Sequence, residues 1–319
     1  MTIGEQIKKE FLSGIREPPR IMAPFKWPGG KGNLVKWIIQ YIPHGHIYVE
    51  PFAGAASVFW HLPKPFAVEV LNDLDADVIN LYKVLKDSRK FEALSHKLIF
   101  TPYARAEFGR AIQMLKSADI NDIDRAWAFF VRQNHGFSGF GLNESNWSRV
   151  LYCTNKDMAK NVSQWRSRLK ILSFWHKRLG KVHIYNLDAI QCMKHWDTTD
   201  TVFYLDPPYI LDTRKTHSIY KKELDLSYHE RLVNTLLSVK GKVILSCYDH
   251  PTYYPLTEAG WQKITIDTVC HMAGKNRGGK TRGVGNLKLY ASRCETLYVN
   301  FSVTKEETRK SMNMNFTDE

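Results

Sequence analysis

The sequence predicts an α/β protein that is built on a mostly parallel sheet and interrupted by a mainly helical insertion. Short runs rich in β-branched and aromatic residues indicate strands, and helical patterns such as 75–97 and 226–240 alternate with them. Between about 100 and 180 this alternation gives way to helix and loop with little strand. The predicted strands are 46–50, 66–71, 181–187, 201–205, 242–247, 262–269 and 296–302.

Changes in pattern divide the chain into four predicted parts. Residues 1–20 are polar and end near two prolines, which predicts a leading segment, and 304–319 form a polar tail. The core is predicted to comprise 21–99 and 181–303, with 100–180 as a separate lobe inserted between them. The alternative is that the inserted block is a helical elaboration that only packs on the sheet.

The overall charge favours a polyanionic partner. The 319 residues carry 45 Lys and Arg against 32 Asp and Glu, a net charge of +13. Neutralising phosphates with release of counterions drives nucleic-acid binding, although a merely basic enzyme would show the same excess. A hydrophobic content of 44% is that of a globular protein and not of a disordered one.

Cysteine usage and hydropathy predict a protein of the reducing cytoplasm. The cysteines are odd in number and form no CxxC pair, which argues against a disulfide framework and against a metal site. No run approaches the length of a membrane span, and the first residues lack the apolar core of a signal peptide. The cysteines are Cys153, Cys192, Cys247, Cys270 and Cys294.

The segment 48–58 indicates the binding loop of a nucleoside cofactor. It reads as a strand, a tight turn of small residues around Gly54, and the beginning of a helix. Asp73 follows Gly54 by 19 residues, at the end of the next strand, where nucleotide-binding sheets place an acid that binds the ribose. Alternatively, Gly54 is an ordinary turn and Asp73 caps the helix at 75–97.

The segment 26–33, KWPGGKGN, contains glycines but does not fit a phosphate-binding loop. Phe25 stands where that loop needs its first glycine, and Gly32 stands where it needs Ser or Thr. Trp27 and Lys31 better suit a short lid that presents an aromatic face and one cation to a zwitterionic ligand. Alternatively, the segment begins a helix and Lys31 is solvated.

The sharpest signal is the tetrapeptide Asp206-Pro207-Pro208-Tyr209, directly after the apolar strand 201–205. The two prolines stiffen the turn, which leaves the Pro207 carbonyl free to accept a hydrogen bond. Together with the Asp206 carboxylate, it would face the two N–H bonds of an aromatic amine and stabilise the positive charge that forms during attack. Tyr209 adds a flat surface on which a base extruded from a duplex would stack.

Residues 273–288 combine five glycines with basic side chains between two predicted strands. This pattern predicts a long hairpin loop whose cations contact the DNA backbone. A loop that is simply solvated is the alternative. The candidate DNA contacts in this loop are Lys275, Arg277, Lys280 and Arg282.

These motifs together resemble the alpha-class, Dam-type DNA adenine methyltransferases, over about residues 22–302 and in the family's order. KWPGGK, EPFAGAAS, LNDLDADVINLY and DPPY are similar to its cofactor and catalytic motifs. The resemblance implies a Rossmann-like sheet that binds S-adenosyl-L-methionine, and a target-recognition lobe at 100–180. The implied cofactor-binding residues are Trp27, Lys31, Phe52, Gly54, Asp73 and Asp206.

Two departures from the family pattern affect these expectations. Ala56 replaces the second loop glycine, and it is small enough that we expect cofactor binding to survive. Ser138 to Leu142 stand where family members that read GATC carry Asn-Gly-Leu-x-Arg, so the arginine suited to guanine is absent and a GATC target is doubtful. In and before this segment the candidate DNA contacts are Arg132, Asn134, Ser138 and Phe140.

The predicted function is site-specific methylation of the adenine amino group in double-stranded DNA, with base flipping. Cytosine-amino or RNA adenine methylation would use the same tetrapeptide, although cytosine-specific enzymes more often begin it with serine. A catalytically silent DNA-binding protein of the same fold is the alternative from another class. The oligomeric state, a cognate restriction nuclease as partner, and a host-regulatory, phage or restriction-modification role are left open.

Overall fold

A computed structural model describes residues 21–137, 144–150, 152–155, 157–213, 223–269 and 292–303. Within these ranges, seven strands form the main sheet, and two further strands of two residues each pair in a separate ladder. The strands are β1 Ile47–Glu50, β2 Val68–Asn72, β3 Thr154–Asn155, β4 Met158–Ala159, β5 Val182–Tyr185, β6 Thr201–Leu205, β7 Lys242–Tyr248, β8 Gln262–Val269 and β9 Ser292–Val299.

The main sheet has the order β5-β2-β1-β6-β7-β9-β8. The first five of these strands are parallel, and β9 runs antiparallel to both β7 and β8. The predicted mostly parallel α/β sheet is therefore confirmed, as is a hairpin formed by the last two strands. The final strand begins at Ser292 and ends at Val299, earlier than the predicted 296–302.

Helices cover both faces of this sheet. None of those in the described part of the chain combines the length and apolar character that a bilayer crossing requires. Short 3-10 helices occupy Ile39–Tyr41, Glu144–Asn146, Leu211–Thr213 and Pro251–Tyr253. The α-helices are α1 Val35–Ile38, α2 Ser57–Trp60, α3 Ala76–Lys86, α4 Ser88–Ile99, α5 Arg105–Met114, α6 Asp122–His135, α7 Lys160–Leu169, α8 Leu172–Leu179, α9 Ala189–Trp196, α10 Leu226–Leu236 and α11 Tyr254–Glu258.

The prediction of one helix across 75–97 is wrong, because the helical pattern is broken at Asp87. This residue has an extended backbone, with φ −74° and ψ 122°, and separates α3 from α4. Its carboxylate accepts a hydrogen bond from the Lys90 amide at 2.9 Å and so caps α4. The apolar spacing continues across the break, so periodicity alone does not reveal it.

Alternating side chains of the strands enter two hydrophobic clusters, one on each face of the sheet. Tyr48 and Tyr204 belong to the cluster under α3, α4, α6 and α8. Val49 and Phe203, their chain neighbours, belong to the cluster under α9, α10 and α11. This alternation follows from the two-residue period of a strand and produces a three-layer arrangement of helix, sheet and helix.

The block 100–180 is mainly helical, as expected. Its longest helix, α6, packs against α3, and the aromatic side chains Trp127, Phe129 and Phe130 join the same cluster as Tyr48. This part of the block thus helps to cover one face of the sheet. That 100–180 acts as a separate recognition lobe stays a prediction.

The strand order places a crevice at the carboxyl ends of β1 and β6. From β1 the chain proceeds to β2 on one side, whereas from β6 it proceeds to β7 on the other. Val49 pairs with Phe203, so the residues that follow the two strands emerge side by side. In open α/β sheets ligands bind at such a point of reversal, because the loops diverge there.

Candidate active site

A cavity of about 300 Å³ opens at this crevice, between the loops that follow β1, β2 and β6. All six residues expected to bind the cofactor line it, together with further parts of the glycine loop. Its walls include Trp27, Pro28, Lys31, Glu50, Phe52, Gly54, Asp73, Leu74, Asp77, Arg125, Tyr204, Asp206, Pro208 and Tyr228.

Gly54 is needed in the loop after β1 for two reasons. Its φ of +47° lies in the left-handed region that favours glycine. A Cβ atom at this position would lie 2.7 Å from the indole ring of Trp27. The indole therefore packs directly on the glycine backbone, and the absent side chain admits Trp27 to the cavity wall. Ala56 also has a positive φ, of 52°, so it keeps a conformation that glycine adopts more easily.

Asp73 ties the end of β2 to the glycine loop. Its carboxylate accepts hydrogen bonds from the Gly54 amide at 2.7 Å and from the Asp75 amide at 2.8 Å. Asp75, and not Asp73, caps α3 by accepting from the Asp77 amide at 2.9 Å. Burial raises the pKa of Asp73 to about 6, and the backbone amides oppose that shift.

Lys31 is buried, at 5% exposure, and is not a solvated residue at the beginning of a helix. Its Nζ lies 2.5 Å from Oδ1 of Asp206 and donates to the Gly29 carbonyl at 3.3 Å. This ion pair joins the KWPGGK segment to the tetrapeptide that begins at Asp206. The positive charge of Lys31 therefore lies between the glycine loop, where the cofactor is expected, and the tetrapeptide.

Asp206 directly follows β6 at the edge of the cavity, with 21% of its side chain exposed. Burial raises its pKa to about 6, whereas the charge of Lys31 acts in the opposite direction. No hydrogen bond from any residue that the structure describes reaches the Pro207 carbonyl. Asp206 and Pro207 thus present two oxygen acceptors at one turn, and Pro208 lines the cavity beside them.

Tyr209, the last residue of the tetrapeptide, contacts residues of β7 and β9. Lys31 Nζ lies 4.6 Å from the centroid of its ring, and Tyr248 contacts it edge-on at 4.5 Å between centroids. The Tyr209 hydroxyl donates to Oε1 of Glu295 and lies 3.4 Å from Oγ of Ser246. Burial raises the pKa of this phenol well above its usual value.

Two buried glutamates belong to the site although the sequence did not single them out. Glu50 ends β1, and its Oε1 accepts from the Tyr48 hydroxyl at 2.6 Å and from the Phe59 amide at 2.8 Å. Burial raises its pKa to about 8. A glutamate that ends an apolar strand before a glycine turn is a usable signal. Glu295 on β9 has no motif around it that would mark it.

The two candidate DNA contacts that the structure describes, Arg132 and Asn134, are not among the residues that line this cavity. Arg132 and Asn134 lie on the last turn of α6 with buried side chains. The Asn134 amide donates to the carbonyls of Pro24 at 3.1 Å and Phe130 at 3.0 Å, and the Arg132 guanidinium lies 5.1 Å from the Phe129 ring centroid. Their role in DNA binding stays a prediction. Outside the described residues lie Ser138, Phe140, Lys275, Arg277, Lys280 and Arg282.

Known DNA adenine methyltransferases are similar to parts of this chain. The chain is 34% identical over 138 residues to a DNA N-6-adenine-methyltransferase of Escherichia phage P1, an alignment that covers 43% of the chain and 18% of that protein. It is 35% identical over 191 residues to a DNA adenine methylase of Vibrio cholerae, covering 58% of the chain and 64% of that protein. The chain thus spans less than two thirds of the length of these relatives.

A family model agrees with the geometry of the site. The family model described as "D12 class N6 adenine-specific DNA methyltransferase" matches residues 27–266 of this chain. This range begins at Trp27 of the cavity wall and includes the glycine loop, Asp73 and the tetrapeptide. The match extends over well more than half of the chain, and the chain therefore belongs to the D12 class of N6 adenine-specific DNA methyltransferases.

Proposed function

We propose that this protein transfers a methyl group from S-adenosylmethionine to the exocyclic amino group of adenine in DNA. One observation carries the proposal: the glycine loop, Asp73 and the Asp206 tetrapeptide border a single cavity at the point where the sheet reverses. A nucleoside half-site and an amine-accepting turn are thereby adjacent. Family membership supports the same reaction.

The composition of the cavity wall suits a cationic nucleoside better than a phosphate-bearing one. The two basic residues of the wall, Lys31 and Arg125, are each paired with a carboxylate, Asp206 at 2.5 Å and Asp77 at 2.7 Å. Polyphosphate ligands require unpaired cations or a nest of amides, whereas a sulfonium is favoured by nearby carboxylates. Trp27 and Phe52 supply aromatic walls of the kind that attracts such a cation.

Within this proposal, residues of the loops after β1 and β2 hold the cofactor. Asp73 lies at the strand end where an acid binds ribose hydroxyls, and Gly54 leaves room beside Trp27. Trp27, Lys31, Phe52, Gly54, Asp73 and Asp206 are the proposed binding residues. When bound, S-adenosylmethionine supplies the electrophilic methyl group.

The tetrapeptide then activates and orients the amine. The amino group of adenine is a weak nucleophile because its lone pair is delocalised into the ring. The Asp206 carboxylate and the Pro207 carbonyl accept its two N–H bonds, which favours a pyramidal nitrogen and stabilises the developing positive charge. Holding the nitrogen in line with the methyl group contributes further, since effective molarity is worth about 7–11 kcal/mol. The product amine loses its extra proton to water.

The target base reaches this turn only after it leaves the duplex. Extrusion costs a few kcal/mol, and stacking on the Tyr209 ring would recover about 1–3 kcal/mol of that cost. The net charge of +13 favours binding to the DNA backbone. The block 100–180 is the proposed recognition lobe, and double-stranded DNA is the proposed partner.

Labelled methyl transfer tests the proposal. The protein is incubated with methyl-labelled S-adenosylmethionine and, separately, with duplex DNA, single-stranded DNA and RNA. We expect label in DNA, with duplex preferred because a duplex offers two phosphate backbones to a chain whose net charge is +13. Label confined to RNA would contradict the DNA assignment, and no label in any polymer would favour a silent binding protein. The amount of label in each polymer is measured after precipitation.

A further inference from the structure

Glu295 on β9 is a buried carboxylate that the proposed reaction does not yet use. The strand β9 runs antiparallel to β7, and Glu295 is the register partner of Tyr248. Facing residues on paired strands project to the same side of a sheet, so Glu295 and Tyr248 share one side. Ser246, two residues before Tyr248, projects to that side as well. Glu295 is only 4% exposed, so its side chain enters the layer beneath the tetrapeptide.

Three donors surround one oxygen of this carboxylate. The Tyr209 hydroxyl donates to Oε1, and the Ser246 hydroxyl donates to the same atom at 2.9 Å. Lys31 Nζ lies 3.6 Å from it. A buried carboxylate is costly unless it is hydrogen-bonded and paired, and this one satisfies both conditions with residues from three separate segments.

The arrangement constrains the aromatic ring of the tetrapeptide. Tyr209 is anchored at its hydroxyl by Glu295 and contacted on its ring by Lys31 and Tyr248. A ring held at its far end has fewer orientations to lose when a base stacks on it. Preorganisation of this kind strengthens an interaction by lowering the entropy that ordering costs.

We propose that Glu295 is a positioning residue that acts through Tyr209: its carboxylate fixes the tyrosine hydroxyl and thereby sets the ring as the platform for the extruded base. This inference rests on the proposed function only for the identity of the stacked group. The hydrogen bond itself is a property of the protein alone, so it is measurable without DNA or cofactor.

The first measurement follows the Tyr209 phenol by NMR. The protein is labelled with 13C at the tyrosine Cζ, and the loss of one resonance in Tyr209→Phe assigns Tyr209 among the 15 tyrosines. Glu295 contributes to the raised pKa of this phenol, after burial and Asp206. We expect the Tyr209 resonance to shift in Glu295→Ala and its titration to move to lower pH. An unchanged resonance and titration would overturn the inference, whatever the activity.

The second measurement is the kinetics of methyl transfer for a double-mutant cycle. We expect Glu295→Ala to lower kcat by about 10- to 100-fold, because a hydrogen bond to a charged group is lost, while KM for S-adenosylmethionine stays within about threefold. In the Tyr209→Phe background, the same change should cost much less, since the hydroxyl that Glu295 holds is already gone. Equal losses in both backgrounds would overturn the inference.

Two further variants separate positioning from a merely structural effect. Glu295→Gln keeps an oxygen that accepts the tyrosine hydroxyl and should recover part of kcat. Thr296→Val is the matched control, because Thr296 is a buried neighbour on β9 whose hydroxyl has no partner among the described residues. Should Glu295→Ala fail to fold, Tyr209→Phe alone decides, since an unchanged kcat in that variant would contradict any role for the hydroxyl that Glu295 holds. If the wild-type protein itself transfers no methyl group, that result refutes the proposed function instead.

Discussion

Lys31 and Asp206 are 175 residues apart in the chain, and their ion pair joins the two halves of the site. Burial raises the pKa of Asp206 to about 6, so the group is a carboxylate at neutral pH but is easily protonated in mild acid. The lysine keeps it ionised and fixes one of its oxygens. A fixed, ionised acceptor is what the amine needs, since the proposed step requires no strong base.

Replacing Asp206 by alanine should abolish methyl transfer. We expect a loss of at least about 100-fold in kcat, because one of the two preorganised acceptors disappears. Duplex binding, measured by mobility shift, should change little, because phosphate contacts supply most of the affinity and Asp206 carries no positive charge to make them. Asp212→Ala is the control, since Asp212 is an exposed residue in the 3-10 helix that follows. Comparable activity in Asp206→Ala and the control would contradict the role of Asp206.

Activity should fall in mild acid. The acceptor form of Asp206 is present above its pKa of about 6 and is lost below it, so kcat/KM should decline as the pH drops from 7 to 5. Folding stability has the opposite trend from this group. Because its pKa is raised above the ordinary 3.8, the folded state retains the proton between about pH 4 and 6, and stability decreases as the pH rises through that window. A flat kcat/KM profile from pH 5 to 8 would exclude an ionised Asp206 as acceptor.

Among the elements, the turn between β1 and α2 is the most constrained. Gly54 and Ala56 both adopt positive φ, and the Trp27 indole rests on the glycine. An L-residue in this region costs about 1–2 kcal/mol. The chain tolerates that cost at Ala56 but has no room for a methyl group at Gly54.

Gly54→Ala should therefore destabilise the protein by about 2 kcal/mol or more, from the left-handed backbone and the displaced indole. It should also weaken S-adenosylmethionine binding, because Trp27 would move within the cavity. Urea denaturation and calorimetry measure the two effects. Gly32→Ala is the matched control, since a Cβ at Gly32 meets no atom within 4 Å. Similar stability in both variants would refute this account of the turn.

Local sequence patterns predict the elements well where burial and period agree. The β-branched run 201–205 coincides with β6, and the run 242–247 falls within β7, because both are central, buried strands. The break at Asp87 was missed, since a single capping residue interrupts a continuous apolar pattern. Capping depends on the backbone conformation of one residue, which periodicity does not report.

Residues of the site are predictable when they stand in a compact motif. Gly54, Asp73 and Asp206 do so, and the cavity brings all three together. Glu295 could not be predicted, because it meets Tyr209 only through the pairing of β9 with β7, across 86 residues of sequence. A lone glutamate in a strand carries no local signal, and its meaning depends on strand order.

At the scale of the whole molecule, the antiparallel hairpin of β8 and β9 completes the sheet beside β7. The strand β9 of this hairpin carries Glu295 to the site. In the sequence, the basic segment 273–288 stands between β8 and β9. Since β8 ends and β9 begins at the carboxyl edge of the parallel strands, the proposed function predicts that DNA approaches along this edge. The parallel strands present their amino ends at the opposite edge.

Changing Arg277 and Arg282 together to alanine should weaken duplex binding and reduce the slope of log K against log salt by about two. The matched control changes Lys64 and Lys240, two exposed residues that precede β2 and β7 and so lie at the amino edge. This pair should leave the slope within about half a unit of the wild type. Binding titrations over a series of salt concentrations give the slopes. Equal slopes in wild type and the arginine variant would remove that segment from the interface.

The most direct measurement identifies the methylated nucleoside. Duplex DNA is incubated with wild-type protein and methyl-labelled S-adenosylmethionine, digested to nucleosides and separated by chromatography, with Asp206→Ala in parallel. Label from the wild type should co-elute with N6-methyldeoxyadenosine, and the variant should yield none. Label in methylated deoxycytidine, or equal label from both proteins, would contradict adenine methylation at the Asp206 turn.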